Sequence, residues 1–333
     1  MNIRIIGEGS NQIQLSHGNE LAPRDIRGPR RGFRPIALAS ADFDSDGLLD
    51  IVTGDTNGAL EIYFGNPDRL RPGAGRLKVP VGADFLLTGD FNADGARDIV
   101  VVRRGDNSLY LVPGNGAGDF AAAIPIKTGG PITGVEAGEI GRADGQTDLA
   151  VAVTESGRGR LLVFEHPEGA FKHAPEAYEL PGPAQAIAVG ELDGDSFGDI
   201  AVGSGSQLTV VHGRGQLYPL DRLPEHGLKR PLAVVETRSL PVSITGLAIG
   251  KFAAHRHQSL TVLTGDGTLQ AIEPDLQTAS RLQSKRPRQS GKPVSLPAGV
   301  EPGKFAAGSD TTPNDKAAAE GHGVVMAELK TGP

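Results

Sequence analysis

The 333-residue sequence contains no cysteine and no tryptophan, and it has only four tyrosines. Without cysteine, a disulfide framework, a thiolate nucleophile and a zinc–thiolate site are all excluded. Because aromatic residues are only 5% of the chain, the core must be built from valine, isoleucine, leucine and alanine. Hydrophobic residues still make up 38% of the sequence, which is typical of a folding chain and not of a disordered one.

The chain also lacks an excess of positive charge and a long apolar run. Its formal net charge is −7, whereas nucleic-acid binding normally needs a basic face, so we expect no nucleic-acid partner. No apolar stretch approaches the ~18 residues that a membrane span needs, so we expect no membrane-spanning segment. The N-terminal segment MNIRIIGEGSNQIQL has neither the long apolar stretch nor the cleavage site of a signal peptide.

Glycine and proline are abundant, with 47 and 24 residues. Together they form about a fifth of the chain, against a usual share of roughly 12%. This content argues against a helical bundle and favours many short strands joined by turns.

One pattern recurs along the chain at intervals of about 50 residues. An apolar strand ends in a small residue, an acidic or basic residue and an apolar one; a loop follows, and a second apolar strand begins at its end. The copies are IALASADFDSDGLLDIVTGD (36–55), FLLTGDFNADGARDIVVVR (85–103), GVEAGEIGRADGQTDLAVAV (134–153), AIAVGELDGDSFGDIAVGSG (186–205) and GLAIGKFAAHRHQSLTVLTGDG (246–267).

Each unit has room for about four strands. In the second unit we predict strands in 85–91, 98–103, 108–114 and 121–129. Apolar runs such as IVVV do not alternate with polar residues, so both faces of these strands should be covered. The predicted fold is all-β: a β-propeller of four-stranded blades with five clear units, and six or seven if a blade is composite or missing. A β-solenoid is the competing architecture, although its coils are usually shorter.

The acidic loops carry the candidate chemistry. In loop one (42–50), alternating carboxylates on a tight curl would point inward and repel one another unless a hard cation lay among them. Oxygen ligands in this number suit Ca²⁺. The candidate ligands are Asp42, Asp44, Asp46, Asp50 and the backbone carbonyl of Leu48. Position twelve is Thr53 instead of the glutamate of an EF-hand, so the loop is expected to link two strands.

The other loops keep this pattern to different extents. Loop two (90–98) keeps every position, with Asp90, Asn92, Asp94, the carbonyl of Ala96, and Asp98. Loop four (191–199) keeps Glu191, Asp193, Asp195 and Asp199 but has Ser196 in place of glycine. Loop three (139–148) has an extra residue and an intruding Arg142, and loop five (251–259) has no carboxylate. The alternative is that these aspartates and glycines only cap turns, without a metal.

Segments such as GDFNADGARDIVVVR and GELDGDSFGDIAVGSG resemble FG-GAP repeats, also called VCBS-type repeats. These form the blades of integrin α-subunit propellers and of many bacterial surface and secreted proteins. The resemblance covers roughly residues 36–280 and implies a calcium-stabilised propeller that binds partners on one rim. It implies calcium ligands in loops one and two, whereas loops three and five depart from the family's ligand pattern. Many members have seven blades.

The regions outside the clear units are assigned by composition. Residues 1–35 resemble the outer strands of a partial blade, and 36–280 hold the propeller units. Residues 281–323 are basic, polar and rich in proline, and this composition predicts a disordered linker. Residues 324–333 contain an apolar run, VVMAEL, which we predict to close the ring beside residues 2–7 or to belong to a truncated blade.

Two classes of function stay open from the sequence. One is a non-catalytic binding or adhesion module with a protein or glycan ligand. The other is a propeller enzyme such as a calcium-dependent polysaccharide lyase, which needs a basic or aromatic cleft and a base for the α-proton. The scarcity of aromatic residues to stack on sugars favours the binding module. An extracellular or periplasmic location is expected, because weak calcium loops fill at millimolar calcium, although no signal peptide is visible.

Overall fold

The computed structural model describes residues 2–5, 13–16, 33–67, 70–141, 145–195, 197–214, 233–252 and 258–272. Within these ranges every helix or strand is a β-strand, which confirms the predicted all-β class. No helix in this part of the chain is long and apolar enough to cross a membrane.

The first two sheets each have four antiparallel strands in chain order. The first contains β3 (Pro35–Ala41), β4 (Asp50–Asp55), β5 (Ala59–Phe64) and β6 (Arg71–Lys78). The second contains β7 (Phe85–Gly89), β8 (Asp98–Val102), β9 (Ser108–Val112) and β10 (Ile124–Lys127). The four strands predicted for the second unit are thus all present.

The third and fourth sheets repeat this arrangement. The third contains β11 (Ile132–Gly138), β12 (Asp148–Glu155), β13 (Arg158–Phe164) and β14 (Glu176–Leu180). The fourth contains β15 (Ala186–Gly190), β16 (Asp199–Ser204), β17 (Gln207–Val211) and β18 (Val235–Ser239).

The fifth sheet has three strands in the described residues, β19 (Ile244–Gly250), β20 (Ser259–Thr264) and β21 (Leu269–Ile272). A separate hairpin pairs β1 (Asn2–Ile5) with β2 (Ile13–Ser16), in the segment where two strands of a partial blade were predicted. The predicted linker 281–323 and closing strand 324–329 lie outside the described residues, so both stay predictions.

The sheets are arranged side by side through their first strands. β3 contacts β7, β7 contacts β11, β11 contacts β15, and β15 contacts β19. Each sheet is an up-and-down meander in which the chain moves away from its first strand and then begins the next sheet. This succession of radial four-stranded units is a β-propeller, as predicted.

The second strand of each sheet explains the non-alternating apolar runs. On β8, Ile99 and Val101 pack in a cluster with Val52 of the first sheet. The intervening Val100 packs in a different cluster, with Val151 of the third sheet. Because successive side chains of a strand point to opposite faces, one apolar run serves two neighbouring sheets. All residues of β4, β8 and β16 are buried.

Candidate functional site

The last aspartate of loop one, Asp50, is a hydrogen-bond acceptor for the backbone. It is 0% exposed. Its Oδ2 accepts a hydrogen bond of 2.7 Å from the N–H of Phe43, at the start of the loop. Its Oδ1 accepts another of 2.7 Å from the N–H of Gly65, which follows the third strand of the sheet. Asp50 therefore joins the loop to the end of β5.

We call this residue and its equivalents the closing aspartates: Asp50, Asp98, Asp148 and Asp199. Asp98 accepts hydrogen bonds from the N–H groups of Phe91 and Gly114, both at 3.0 Å. Asp199 accepts from Leu192 and Gly213, both at 2.7 Å. In loop three, which departs from the ligand pattern, Asp148 Oδ2 still accepts from the Ile140 N–H at 3.0 Å. The closing aspartate thus has a structural role in all four loops.

The opening part of loop one is curled around Asp42. The two oxygens of this carboxylate accept hydrogen bonds from the N–H groups of Asp46 and Gly47, at 3.2 and 2.9 Å. The curl requires positive φ angles at Ser45 (58°) and Gly47 (84°). Asp46 Oδ1 accepts a hydrogen bond of 2.8 Å from the N–H of Leu48, in the seventh position.

Three of the four carboxylates selected in loop one lie close together, and Asp46 is not part of this group. One oxygen from each of Asp42, Asp44 and Asp50 lies within 4.8 Å of the others. The Oδ1 atom of Asp44 is buried and has no hydrogen-bond partner among the described residues. Burial raises the pKa of Asp50; the N–H groups of Gly65 and Phe43 oppose this shift, and the negative charges of Asp44 and Asp42 add to it. These oxygens fit a hard divalent cation, which would neutralise the crowded charge.

Loop two has the same backbone with a different side-chain arrangement. Ala93 (φ 62°) and Gly95 (φ 85°) adopt the positive φ angles of their counterparts in loop one. Asp90 accepts hydrogen bonds from the N–H groups of Asp94 and Gly95, at 3.2 and 2.9 Å. The Asn92 amide nitrogen donates a 2.9 Å bond to Asp94 Oδ2. Its carboxylates do not form a close group of three like that of loop one, among the residues described in 90–98.

The remaining positions of loop two follow loop one. The N–H of Ala96 donates to Asp94 Oδ1 at 2.8 Å. Burial raises the pKa of Asp98 to about 6, against the opposing hydrogen bonds from Gly114 and Phe91. The predicted ligands Asp90, Asn92, Asp94 and Asp98 therefore lie around one curled loop, with Asn92 and Asp94 hydrogen-bonded to each other.

Loop four contains two overlapping groups. One oxygen from each of Glu191, Asp193 and Asp195 lies within 4.8 Å of the others, so three of its four predicted ligands come together. The fourth, Asp199, forms a second such group with Asp193 and with His212, a residue that sequence reasoning did not select.

His212 follows β17 and extends its imidazole into loop four. It is 8% exposed, and its Nδ1 lies 3.4 Å from Asp193 Oδ2 and 3.5 Å from Asp199 Oδ1. Burial alone would lower the pKa of His212, but the two carboxylates outweigh burial and raise it to about 9. A local signal was present in the sequence, because His212 directly precedes Gly213, just as Phe64 precedes Gly65 and Pro113 precedes Gly114.

Loops three and five add no further group in the described residues. Arg142 and Asp144 of loop three, and residues 253–257 of loop five, lie outside those residues. The second position of loop five, Phe252, is 57% exposed, whereas Phe43 and Phe91 in loops one and two are at most 1% exposed. Phe43 packs edge-on against Phe120 of the second sheet's outer loop, with ring centroids 5.3 Å apart.

Comparison with known proteins supports the repeat assignment. The model of the FG-GAP-like repeat matches residues 90–141, which run from loop two into loop three. None of the curated proteins matches the sequence.

Two solved structures share the fold. A crystal structure of BBS1N in complex with ARL6DN, soaked with mercury, aligns with a TM-score of 0.55 and 16% identity, covering 80% of this chain and 73% of that chain. A second crystal of BBS1N in complex with ARL6DN, soaked with lead, aligns with a TM-score of 0.54 and 15% identity, covering 79% and 73%. The chain is therefore a β-propeller, and its residues 90–141 match the FG-GAP-like repeat.

Proposed function

We propose that the protein is a non-catalytic binding module, a calcium-stabilised β-propeller that recognises a protein partner. The FG-GAP-like match at 90–141 supports the assignment to a class of propellers. The similar structure of BBS1N was solved in complex with ARL6DN, which is consistent with a propeller that binds another protein. Sequence identities of 15 and 16% support a similarity of fold only, so we do not propose ARL6DN as the partner of this chain.

The calcium part of the proposal depends on loop one. The observation that supports it is twofold. Asp44 has a buried Oδ1 without a hydrogen-bond partner among the described residues, and one of its carboxylate oxygens lies within 4.8 Å of oxygens of Asp42 and Asp50. A buried carboxylate oxygen without a partner is costly, and a bound cation would remove that cost. Loop two shares the backbone of loop one, so we extend the proposal to it.

Calcium in these loops would bind carboxylates that the backbone already places close together. The cation would neutralise the repulsion between the opening carboxylates and so stabilise the curl of each loop. At a free calcium concentration of 100 times the dissociation constant, one site adds roughly 2.7 kcal/mol to the free energy of unfolding.

Thermal melting in calcium and in chelator tests the metal. We expect calcium to raise the melting temperature, and the double variant Asp44→Ala/Asp94→Ala to melt in calcium as the unaltered protein melts in chelator. As a matched control, Asp119→Ala removes an exposed aspartate outside the loops and should keep the calcium response. An unchanged melting temperature with and without calcium would remove the metal from the proposal.

An assay on uronic-acid polymers tests the binding role against the lyase alternative. A lyase creates an unsaturated product, and hence new ultraviolet absorbance. We expect no such absorbance, and we expect the immobilised full chain to retain a protein partner in calcium and to release it in chelator. Robust, calcium-dependent absorbance would replace the binding module with the enzyme.

We also propose that the protein acts in an extracellular or periplasmic compartment. The support is chemical, because loops of this kind fill at millimolar calcium and not at cytosolic levels. Cell fractionation tests this proposal, and finding the protein only in the soluble cytosolic fraction would overturn it.

A further inference from the structure

The geometry of loop four points to a second kind of metal site. We propose that Asp193, Asp199 and His212 bind a transition-metal ion of the Zn²⁺ class, and not calcium. This inference does not rest on calcium in loops one and two, and it concerns residues of a different sheet.

The first step is the burial of His212. Its side chain is 8% exposed, and neither ring nitrogen has a hydrogen-bond partner among the described residues. Burying an imidazole without partners costs free energy. Its Nδ1 is nevertheless directed at Asp193 and Asp199, which are 5% and 0% exposed.

The second step is the spacing of the three groups. Nδ1 lies 3.4 Å from Asp193 Oδ2 and 3.5 Å from Asp199 Oδ1. A charge-assisted N–H···O hydrogen bond is shorter, about 2.7–2.9 Å. Two ligands bonded to one tetrahedral zinc at about 2.0–2.1 Å lie roughly 3.3–3.4 Å apart. The observed spacing therefore matches neighbouring ligands of one ion better than a direct ion pair.

The third step is the orientation of the carboxylate. Both oxygens of Asp199 already accept backbone hydrogen bonds, from Leu192 and from Gly213, at 2.7 Å each. Outer contacts of this kind fix the direction in which a ligand presents its remaining lone pairs. Gly213 directly follows His212, so one short segment both supplies the imidazole and orients Asp199.

The donor set selects the class of metal. Calcium takes oxygen ligands, whereas a neutral imidazole with carboxylates suits zinc and its neighbours among the transition metals. Loops one and two have Phe64 and Pro113 where loop four has His212. Neither residue offers a ligand atom in its side chain, so the zinc-class site belongs to loop four alone among these three loops.

A small cleft adjoins the histidine of the site. His212 lines a small cleft between the third and fourth sheets, together with Ile140, Val163 and Ile200. Three protein ligands leave a fourth tetrahedral position, which solvent can occupy. The rival occupant of loop four is a proton on His212, which has to leave before the nitrogen can bind a metal.

The experiment titrates the full chain with Zn²⁺ and with Co²⁺, both in millimolar calcium. We expect one equivalent of Zn²⁺ to bind despite the calcium, and Co²⁺ to give the visible absorption of tetrahedral nitrogen and oxygen ligation. His212→Gln should weaken Zn²⁺ binding by more than about 100-fold, the upper end of what loss of an outer-shell partner costs. His173→Gln, which changes an exposed histidine, and Asp44→Ala should both retain the binding.

Zinc affinity that is equal in His212→Gln and the unaltered chain would overturn the proposal, as would displacement of zinc by calcium. If His212→Gln does not fold, nitrogen NMR of the eight histidines in the unaltered protein decides. One equivalent of Zn²⁺ should shift only the resonances assigned to His212. A His212 ring that keeps both protons in the presence of Zn²⁺ would assign the loop to an internal ion pair instead.

Discussion

In loop two and loop four the closing aspartate makes the same pair of hydrogen bonds, but the surroundings of the opening carboxylates differ. Asp98 and Asp199 each accept one N–H from the second residue of the loop and one from a glycine after the third strand. In loop two the amide of Asn92 is bonded to Asp94. In loop four a histidine from outside the loop approaches Asp193 and Asp199 instead.

This difference separates two roles within one sequence motif. The closing half of a loop, which ends at the closing aspartate, stabilises the fold. Even loop three retains the hydrogen bond from the Ile140 N–H to Asp148. Under the two metal proposals, the opening carboxylates and the residue just before the glycine after the third strand would determine which cation the loop binds. A motif of regularly spaced aspartates therefore does not by itself predict a metal, because one of them is needed for the backbone in every case.

The largest effect should come from breaking the closing half. Asp98→Ala leaves the buried N–H groups of Phe91 and Gly114 without an acceptor. Each unsatisfied group costs about 1–3 kcal/mol, partly offset by no longer burying a charge, so we expect a loss of about 3 kcal/mol. Urea unfolding in chelator measures this loss of free energy of unfolding. Asp119→Ala should be nearly neutral, and a loss for Asp98→Ala that vanished in chelator would assign this residue to metal binding alone.

Breaking the opening half should have a smaller effect that depends on calcium. Asp44→Ala removes one of the three carboxylates of the loop-one group. At saturating calcium we expect loss of roughly 2.7 kcal/mol, the contribution of one site at 100 times its dissociation constant. In chelator the variant should be as stable as the unaltered protein. Equal destabilisation in both conditions would mean that Asp44, like Asp98, serves the backbone.

A third test distinguishes the loop carboxylates from Glu136, which lies on β11 outside the loops. Burial raises the pKa of Glu136 to about 8 from an ordinary value of 4.5. The folded protein then holds a proton that the unfolded chain releases, so stability should fall as pH rises from 4.5 to about 8. Glu136→Gln should remove this fall. A pKa shift of this size sets an upper limit of about 4 kcal/mol at pH 8, and because Glu136 is only half-buried and solvent screens its charge, we expect the variant to be about 2 kcal/mol more stable there.

Urea midpoints measured in chelator across this pH range provide the check. The two proteins should be nearly equal at the acidic end, where the carboxyl group is protonated in the folded state and still half protonated in the unfolded state of the unaltered chain. If the unaltered protein and Glu136→Gln kept the same pH dependence throughout, the burial of Glu136 would have no energetic consequence.

The smallest effect concerns the backbone shared by the loops. Ala93 of loop two has φ 62°, whereas loop four has Gly194, with φ 81°, in the same position. A left-handed conformation costs an L-residue about 1–2 kcal/mol, and glycine gives back about 0.5–1 kcal/mol through the freedom of the unfolded chain. Ala93→Gly should therefore stabilise the protein by about 0.5 kcal/mol in urea unfolding. A destabilised variant would show that the Ala93 methyl group contributes more than the backbone strain costs.

Much of the fold follows from local sequence patterns. The apolar runs and turn residues predicted β7 to β10 closely, because a short strand and its turn are determined by neighbouring residues. The continuous run IVVV predicted burial on both faces, and the structure divides it between two clusters. The acidic loops were located by the same reasoning, since their spacing repeats with the strands.

The parts of the site that were missed depend on contacts between distant residues. His212 lies thirteen positions beyond Asp199, at the end of a different strand, and only the pairing of β16 with β17 brings the two together. The role of Asp50 was also hidden, because the alternating pattern does not distinguish a metal ligand from an acceptor for Phe43 and Gly65. The pairing of two strands, and not the spacing within one loop, determines both.

The division of β8 between two clusters has a consequence for how the molecule can unfold and evolve. Val100 packs with Val151, while Ile99 packs with Val52, so a single blade contains only half of each apolar layer that it needs. An excised blade would expose both half-layers and should not fold alone, as in other arrays stabilised by their neighbours. Loss of one blade should therefore weaken both of its neighbours, so melting should spread from one blade to the next. Loss of an inner blade removes two junctions and requires a new one between its former neighbours, so such a change is tolerated only where the new neighbours complete each other's apolar layers.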